Sequence, residues 1–199
     1  MSAFKGLYAF QLSALGVLLL LASAHGHGVI TKPKPRAIGA ANQAACGEGV
    51  YGVLKKDDHG PIESAAAKTD SGYNATACHL FFCRGLQFDD NKSNVQTYKA
   101  GQVVPFHVDI AAHHTGYANV SIFNLATQEP IGAPLVSWSV YANDTLGPSE
   151  WPPNESDFNV TIPSNLGTTC SKAGQCAIQW WWYGYNKQTY ESCVDFVVA

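Results

Sequence analysis

Val136-Ser137-Trp138-Ser139-Val140-Tyr141 alternates apolar and polar residues with period two, the pattern of a half-buried β-strand. Upstream, Val103 to Ala111 is rich in β-formers. Ala118-Asn-Val-Ser-Ile-Phe123 alternates again, with Val120 and Phe123 as expected core residues. Downstream, Phe158-Asn-Val-Thr-Ile162 alternates, Ala177 to Tyr183 is aromatic and β-prone, and Cys193 to Val198 forms the closing strand. Short strands separated by Gly, Pro and Asn turns predict an all-β antiparallel sandwich. Residues 27–36 open extended, because Pro33 and Pro35 cannot sit inside a helix. Ala40 to Ala45 predicts a short helix that stops at Gly47. From Gly49 to about Ala100 the pattern is weak, which predicts a long excursion of loops and short helical pieces.

Residues 1–26 have the form of a secretory signal peptide: Lys5 is the early charge, a leucine-rich core runs to Leu21, and small residues follow. The apolar run is shorter than the ~20 residues a spanning helix needs, so no membrane association is expected. Two cuts satisfy the small-x-small rule, one after Ala24 and one after Gly26, leaving either His25 or His27 first. Cut at the second, residues 27–199 form one domain of ordinary size, secreted and expected to be monomeric. With a net charge of −3 and no basic tract, nucleic acid is not an expected partner. Few charges and many aromatics fit contact with a neutral surface such as a polysaccharide, as they fit other secreted β-proteins.

The six cysteines, Cys46, Cys78, Cys83, Cys170, Cys176 and Cys193, read as disulfides in a secreted chain. Six cysteines allow 15 pairings. Close spacing favours Cys78–Cys83 and Cys170–Cys176, which leaves Cys46–Cys193. The spacings are not paired Cys-x-x-Cys, which argues against zinc. Asn74, Asn91, Asn119, Asn143, Asn154 and Asn159 stand in N-x-S/T glycosylation sequons.

A cut that leaves a histidine first creates a metal site from few parts. The α-amine and a ring nitrogen of that residue, with one more imidazole, surround an ion with three nitrogens, which suits Cu(II). His113-His114-Thr115-Gly116 lies between two predicted strands and is read as a hairpin turn that could supply the imidazole. His59, His79 and His107 read as ordinary solvated histidines. Tyr190, just before the last predicted strand, could approach a metal axially or simply pack, and Gln188 could hydrogen-bond it. Trp180, Trp182 and Tyr185 could contact a glycan, although alternation would bury at least one tryptophan of 180–182.

These pieces together resemble a fungal lytic polysaccharide monooxygenase, a copper enzyme with an N-terminal histidine brace on an immunoglobulin-like sandwich. The family's opening pattern is His-Gly, then an aliphatic residue, a proline and an arginine at three, six and nine positions after the histidine. Counted from His27 it gives Ile30, Pro33 and Arg36; counted from His25 it fails. The His-x-Gly turn matches His114 and Gly116, and the Gln-x-Tyr-x-x-Cys ending matches Gln188, Tyr190 and Cys193. Gln179-Trp-Trp-Trp182 and Ala-Ala-Cys46-Gly make auxiliary activity family sixteen the most similar branch. The resemblance implies that His27 and His114 bind one copper ion, that Tyr190 sits axially and that Gln188 orients the oxygen species. It further implies reduction by an external electron donor, reaction with O2 or H2O2, and oxidative cleavage of an insoluble polysaccharide. Cellulose with C1 oxidation is the expected case, with chitin or another wall glycan as alternatives. Two departures point elsewhere. A His25-Gly26-His27 start would hold Cu(II) without His114, as in a secreted copper-binding protein, and His113 stands beside His114 as an alternate ligand. A non-catalytic chitin- or cellulose-binding protein on the same fold is the remaining reading.

Overall fold

The computed structural model describes residues 27–199; the expected signal peptide, its two expected cut sites and His25 lie outside the described residues. Among these residues eight strands and four α-helices, three of them short, follow in order: β1 (His27–Lys32), α1 (Ala40–Lys56), α2 (Ile62–Ala66), α3 (Ala75–Cys78), β2 (Gln96–Tyr98), β3 (Val103–Ala112), β4 (Gly116–Asn124), β5 (Val136–Tyr141), α4 (Pro153–Ser156), β6 (Asp157–Thr161), β7 (Cys176–Gly184) and β8 (Gln188–Val198). They build two sheets, ordered β1-β3-β6 and β2-β8-β7-β4-β5. All pairings are antiparallel except β2 with β8. The expected β-sandwich is the observed fold.

The period-two pattern sets which side chains fill the space between the sheets. On β3, Val104, Phe106, Val108 and Ile110 are buried, while Val103, Pro105 and Asp109 face solvent. On β4 the inward residues are Ala118, Val120 and Ile122. Phe123 falls on the opposite parity and is not a core residue as expected; it packs outside the sheet against Phe82, 5.4 Å between ring centres. Trp180 and Trp182, both fully buried, meet Tyr141 and Tyr190 at the centre of the core. This placement overturns Trp180 and Trp182 as glycan-contacting residues.

The excursion before β2 is more ordered than its composition suggests. The helix at Ala40 does not end at Gly47. Gly47 takes φ +80°, which kinks the chain, and helix resumes to Lys56. Val50, Leu54, Ile62, Ala65 and Leu80 form a second small core there. Its disulfides correct the pairing drawn from spacing: the bonds are Cys46–Cys78 and Cys83–Cys193, and Cys170–Cys176 is as expected. Short separation lowers loop-closure cost but does not aim side chains. Cys78 ends α3 facing α1. The chain then turns through left-handed His79 and buried Leu80, delivering Cys83 to β8.

Arg36 ties β1's exit to the last strand. Its Nε and Nη2 donate to both Asp195 carboxylate oxygens at 2.8 and 2.7 Å, and Nη1 donates to the Leu86 carbonyl. Both side chains are nearly excluded from solvent. Asp195→Asn should therefore cost roughly 3–5 kcal/mol, because it strands a buried guanidinium; urea unfolding checks this. The sequons differ in exposure too. Asn91 is buried and its amide donates to the carbonyls of Ala37 and Gln87, so the folded structure has no room for a glycan there.

Candidate metal centre

His27 begins β1 and its register partner is Ala112 at the end of β3. The chain leaves β3, turns through His113-His114-Thr115 and enters β4, which belongs to the other sheet. The turn is therefore a corner between sheets rather than the hairpin expected. That corner carries His114 to the sandwich edge where His27 starts. At the same edge, Gly116 pairs with Gly184, and Gly184 pairs with Gln188.

Close packing holds both approaches. A Cβ on Gly28 would come within 3.1 Å of Trp180 and 3.4 Å of Trp182, and the Gly28 N–H donates to the His59 carbonyl at 3.1 Å. A Cβ on Gly116 would lie 2.0 Å from the Tyr183 carbonyl oxygen. Gly116→Ala forces backbone to move and should destabilise the domain by roughly 1–3 kcal/mol. Thermal unfolding measures that loss, and NMR of the His114 ring reports displacement of the corner.

Four polar side chains form a line across the edge. Tyr190 donates its hydroxyl to Gln188 Oε1 at 2.7 Å, Asn186 Nδ2 donates to the same oxygen at 2.6 Å, and Asn186 Nδ2 also meets His114 Nδ1. The far nitrogen of that ring, His114 Nε2, is buried without a hydrogen-bond partner among the described residues. An unpartnered buried imidazole nitrogen costs free energy unless something else satisfies it. Tyr190 is fully buried and stacks on Trp182 at 4.3 Å. Burial, aided by the negative charges of Glu63 and Asp57, raises its pKa far above the ordinary phenol value, so it stays a neutral hydroxyl. His113 stacks on Trp151, 3.8 Å between ring centres, and burial lowers its pKa.

A clamped loop supports His27. Asp57 Oδ2 lies 3.3 Å from His27 Nε2, while Asp57 Oδ1 accepts the N–H groups of His59 and Gly60. Buried Arg84 donates to the carbonyls of Asp57, Asp58 and Gly60. Beneath it, burial pushes the Glu191 carboxyl up to about 8 against the opposing pull of the Arg84 N–H and guanidinium. Three loop carbonyls take the donors of the two terminal guanidinium nitrogens. Asp57, Asp58 and His59 also come within 4.8 Å of one another. Their ligand atoms are occupied: His59 Nδ1 meets Asp58 at 2.6 Å and His59 Nε2 meets Asp109 at 3.2 Å. His59 is consequently a bonded loop histidine and not a solvated one. His107 likewise bonds Asp157 at 2.7 Å, and His79 is exposed. Asn186, Asp57 and Arg84 carry no sequence motif; only the fold brings them to this edge.

No curated protein matches the sequence. Several solved structures are similar. A chitin binding domain from Burkholderia pseudomallei is 11% identical over 87% of this chain and 100% of its own, with a TM-score of 0.41. The cellulose-active monooxygenase CelS2 in complex with copper is 15% identical over 67% of this chain and 63% of its own, with a TM-score of 0.36. The AA15 enzyme from Thermobia domestica in the Cu(I) state is 14% identical over 87% and 99%, with a TM-score of 0.43. The family model described as lytic polysaccharide mono-oxygenase, cellulose-degrading, matches residues 27–196, nearly the whole described domain. The chain belongs to the lytic polysaccharide monooxygenase family.

Proposed function

We propose that this monooxygenase is a secreted copper enzyme that cleaves an insoluble polysaccharide oxidatively, with His27 and His114 as the metal ligands. The observation that carries this reading is His114 Nε2, a buried nitrogen without a partner on the edge where β1 begins. In a chain that starts at His27, the α-amine becomes a second nitrogen at that edge. Asp57 beside Nε2 of His27 favours the proton there, leaving the lone pair on Nδ1 as the third. His114 Nε2 needs its own lone pair, so Nδ1 must carry the proton. The Asn186 and Gln188 amides then turn over together: Asn186 Oδ1 accepts from Nδ1, and Gln188 donates to Asn186 and Tyr190. The same line of side chains thus fits either ring tautomer.

Copper, when bound, supplies one-electron chemistry toward O2 or H2O2 once an external donor has reduced it. This chain's own groups would do the rest. Tyr190 keeps its hydroxyl neutral beside the site, Gln188 holds that hydroxyl, and Trp182 fixes the phenol's plane. The stack on Trp151 supports His114 over His113 as ligand. The motif likeness to the fungal family sixteen supports cellulose as substrate and C1 as the oxidised carbon, acting as a monomer.

Two preparations test the reading, one beginning at His27 and one retaining His25-Gly26. The first should release oxidised oligosaccharides from cellulose only when ascorbate is present. The second, whose His27 nitrogen is an amide, should bind Cu(II) with little release. Equal release from both would sink the α-amine assignment.

A further inference from the structure

We propose that Asn119 carries an N-linked glycan whose first N-acetylglucosamine lies across Trp181, covering an aromatic face the fold leaves open. This rests on passage through a glycosylating secretory route and not on the copper site. Six of the chain's eleven asparagines stand in sequons, far more than its serine and threonine content would place there by chance. Among them, Asn119 has the most distinctive surroundings. It lies mid-strand on β4, and its register partner on β7 is Trp181.

Residues two apart on a strand share a face. Tyr117, Asn119 and Ser121 therefore lie on the sheet face turned away from the core, beside their register partners Tyr183, Trp181 and Gln179; Ser121 and Gln179 are covered there, and the aromatic end is open. Tyr117 lies 5.4 Å from Trp181, 5.7 Å from Tyr183 and 6.2 Å from Tyr185, and Trp181 stacks on Tyr183 with 9° between the planes. Tyr117 is 41% exposed and Tyr185 61%. At the other end a concavity of about 370 Å³ includes Asn119, Trp181, Gln179 and Phe81 in its wall, and Phe81 is 54% exposed. A patch of this kind normally meets a partner. A pyranose suits it, because its C–H face packs on the electron-rich ring faces.

The sequon supplies that sugar already tethered, so its local concentration is high without any diffusing partner. Ser121 Oγ donates to Asn119 Oδ1 at 3.0 Å, while Asn119 Nδ2 makes no hydrogen bond among the described residues. Before folding, Nδ2 would attack the anomeric carbon of a lipid-pyrophosphate-linked oligosaccharide. The N–C bond forms, the C–O bond to pyrophosphate breaks, the lipid pyrophosphate leaves, and Nδ2 loses a proton.

The experiment uses the full protein secreted from a eukaryotic host. Glycopeptide mass analysis should find Asn119 occupied. Asn119→Gln should lower Tm by about 2–4 °C and shift tryptophan emission to the red. In a Trp181→Ala background the same change should leave Tm unmoved. Trimming the wild-type glycan to its first sugar should also leave Tm unmoved, a readout that needs no variant to fold. An unmodified Asn119, an equal Tm loss in the Trp181→Ala background, or full loss on trimming would each overturn the proposal. Unmodified Asn119 together with cellulose binding that depends on Trp181 would assign the face to a polysaccharide chain instead.

Discussion

His114→Ala should abolish release of oxidised oligosaccharides from cellulose and weaken copper binding by at least about 100-fold, beyond what losing a supporting partner usually costs. The proposed site has three nitrogens, and this change removes the one carried by the corner between the two sheets. The variant should fold normally. His114 lies in the corner between β3 and β4, outside the clusters of buried apolar side chains, and its Nε2 has no partner to lose. Calorimetric copper titration reads the affinity, and thermal unfolding of the metal-free protein should change little. Asn186→Ala provides the graded comparison: it removes the group that meets Nδ1 and should cost about 10–100-fold in affinity. Full release by His114→Ala would place the metal elsewhere.

Removing the Cys83–Cys193 bond by a double alanine change should cost about 5 kcal/mol. The bonded residues are 110 apart in sequence, and the loop-entropy relation gives that value for a closed loop of such length. Tm should fall by roughly 10–20 °C, at the few degrees per kcal/mol typical of a domain this size. The same relation gives only about 2 kcal/mol for Cys170–Cys176, separated by six, so the two deletions should differ clearly. The longer bond also reaches the site. Cys83 precedes Arg84, whose guanidinium holds the carbonyls of residues 57, 58 and 60, and Asp57 meets His27. Copper affinity should therefore fall with the Cys83–Cys193 deletion and stay unchanged with the other. Equal losses from the two would show that the clamp does not support the metal site.

The alternation in Val136–Tyr141 and its neighbours was enough to identify the sandwich, because period-two burial is local and survives any arrangement of the strands. The spacings from His27 to Arg36, His114 to Gly116 and Gln188 to Cys193 likewise pointed to the family, since each motif lies within one short segment. Four residues of the proposed site, His27, His114, Gln188 and Tyr190, were legible on that basis. Tertiary structure alone decided which cysteines meet, because Cα separation and side-chain direction depend on how α3 and β8 pack. It decided that Phe123 faces outward, a matter of one residue in parity, and that the His114 turn joins two sheets, which adjacency in sequence does not reveal. It also decided the supporting groups. Asp57, Arg84 and Asn186 come from segments far apart in the chain, and a hydrogen bond needs contact within about 3 Å, which no spacing along a sequence encodes.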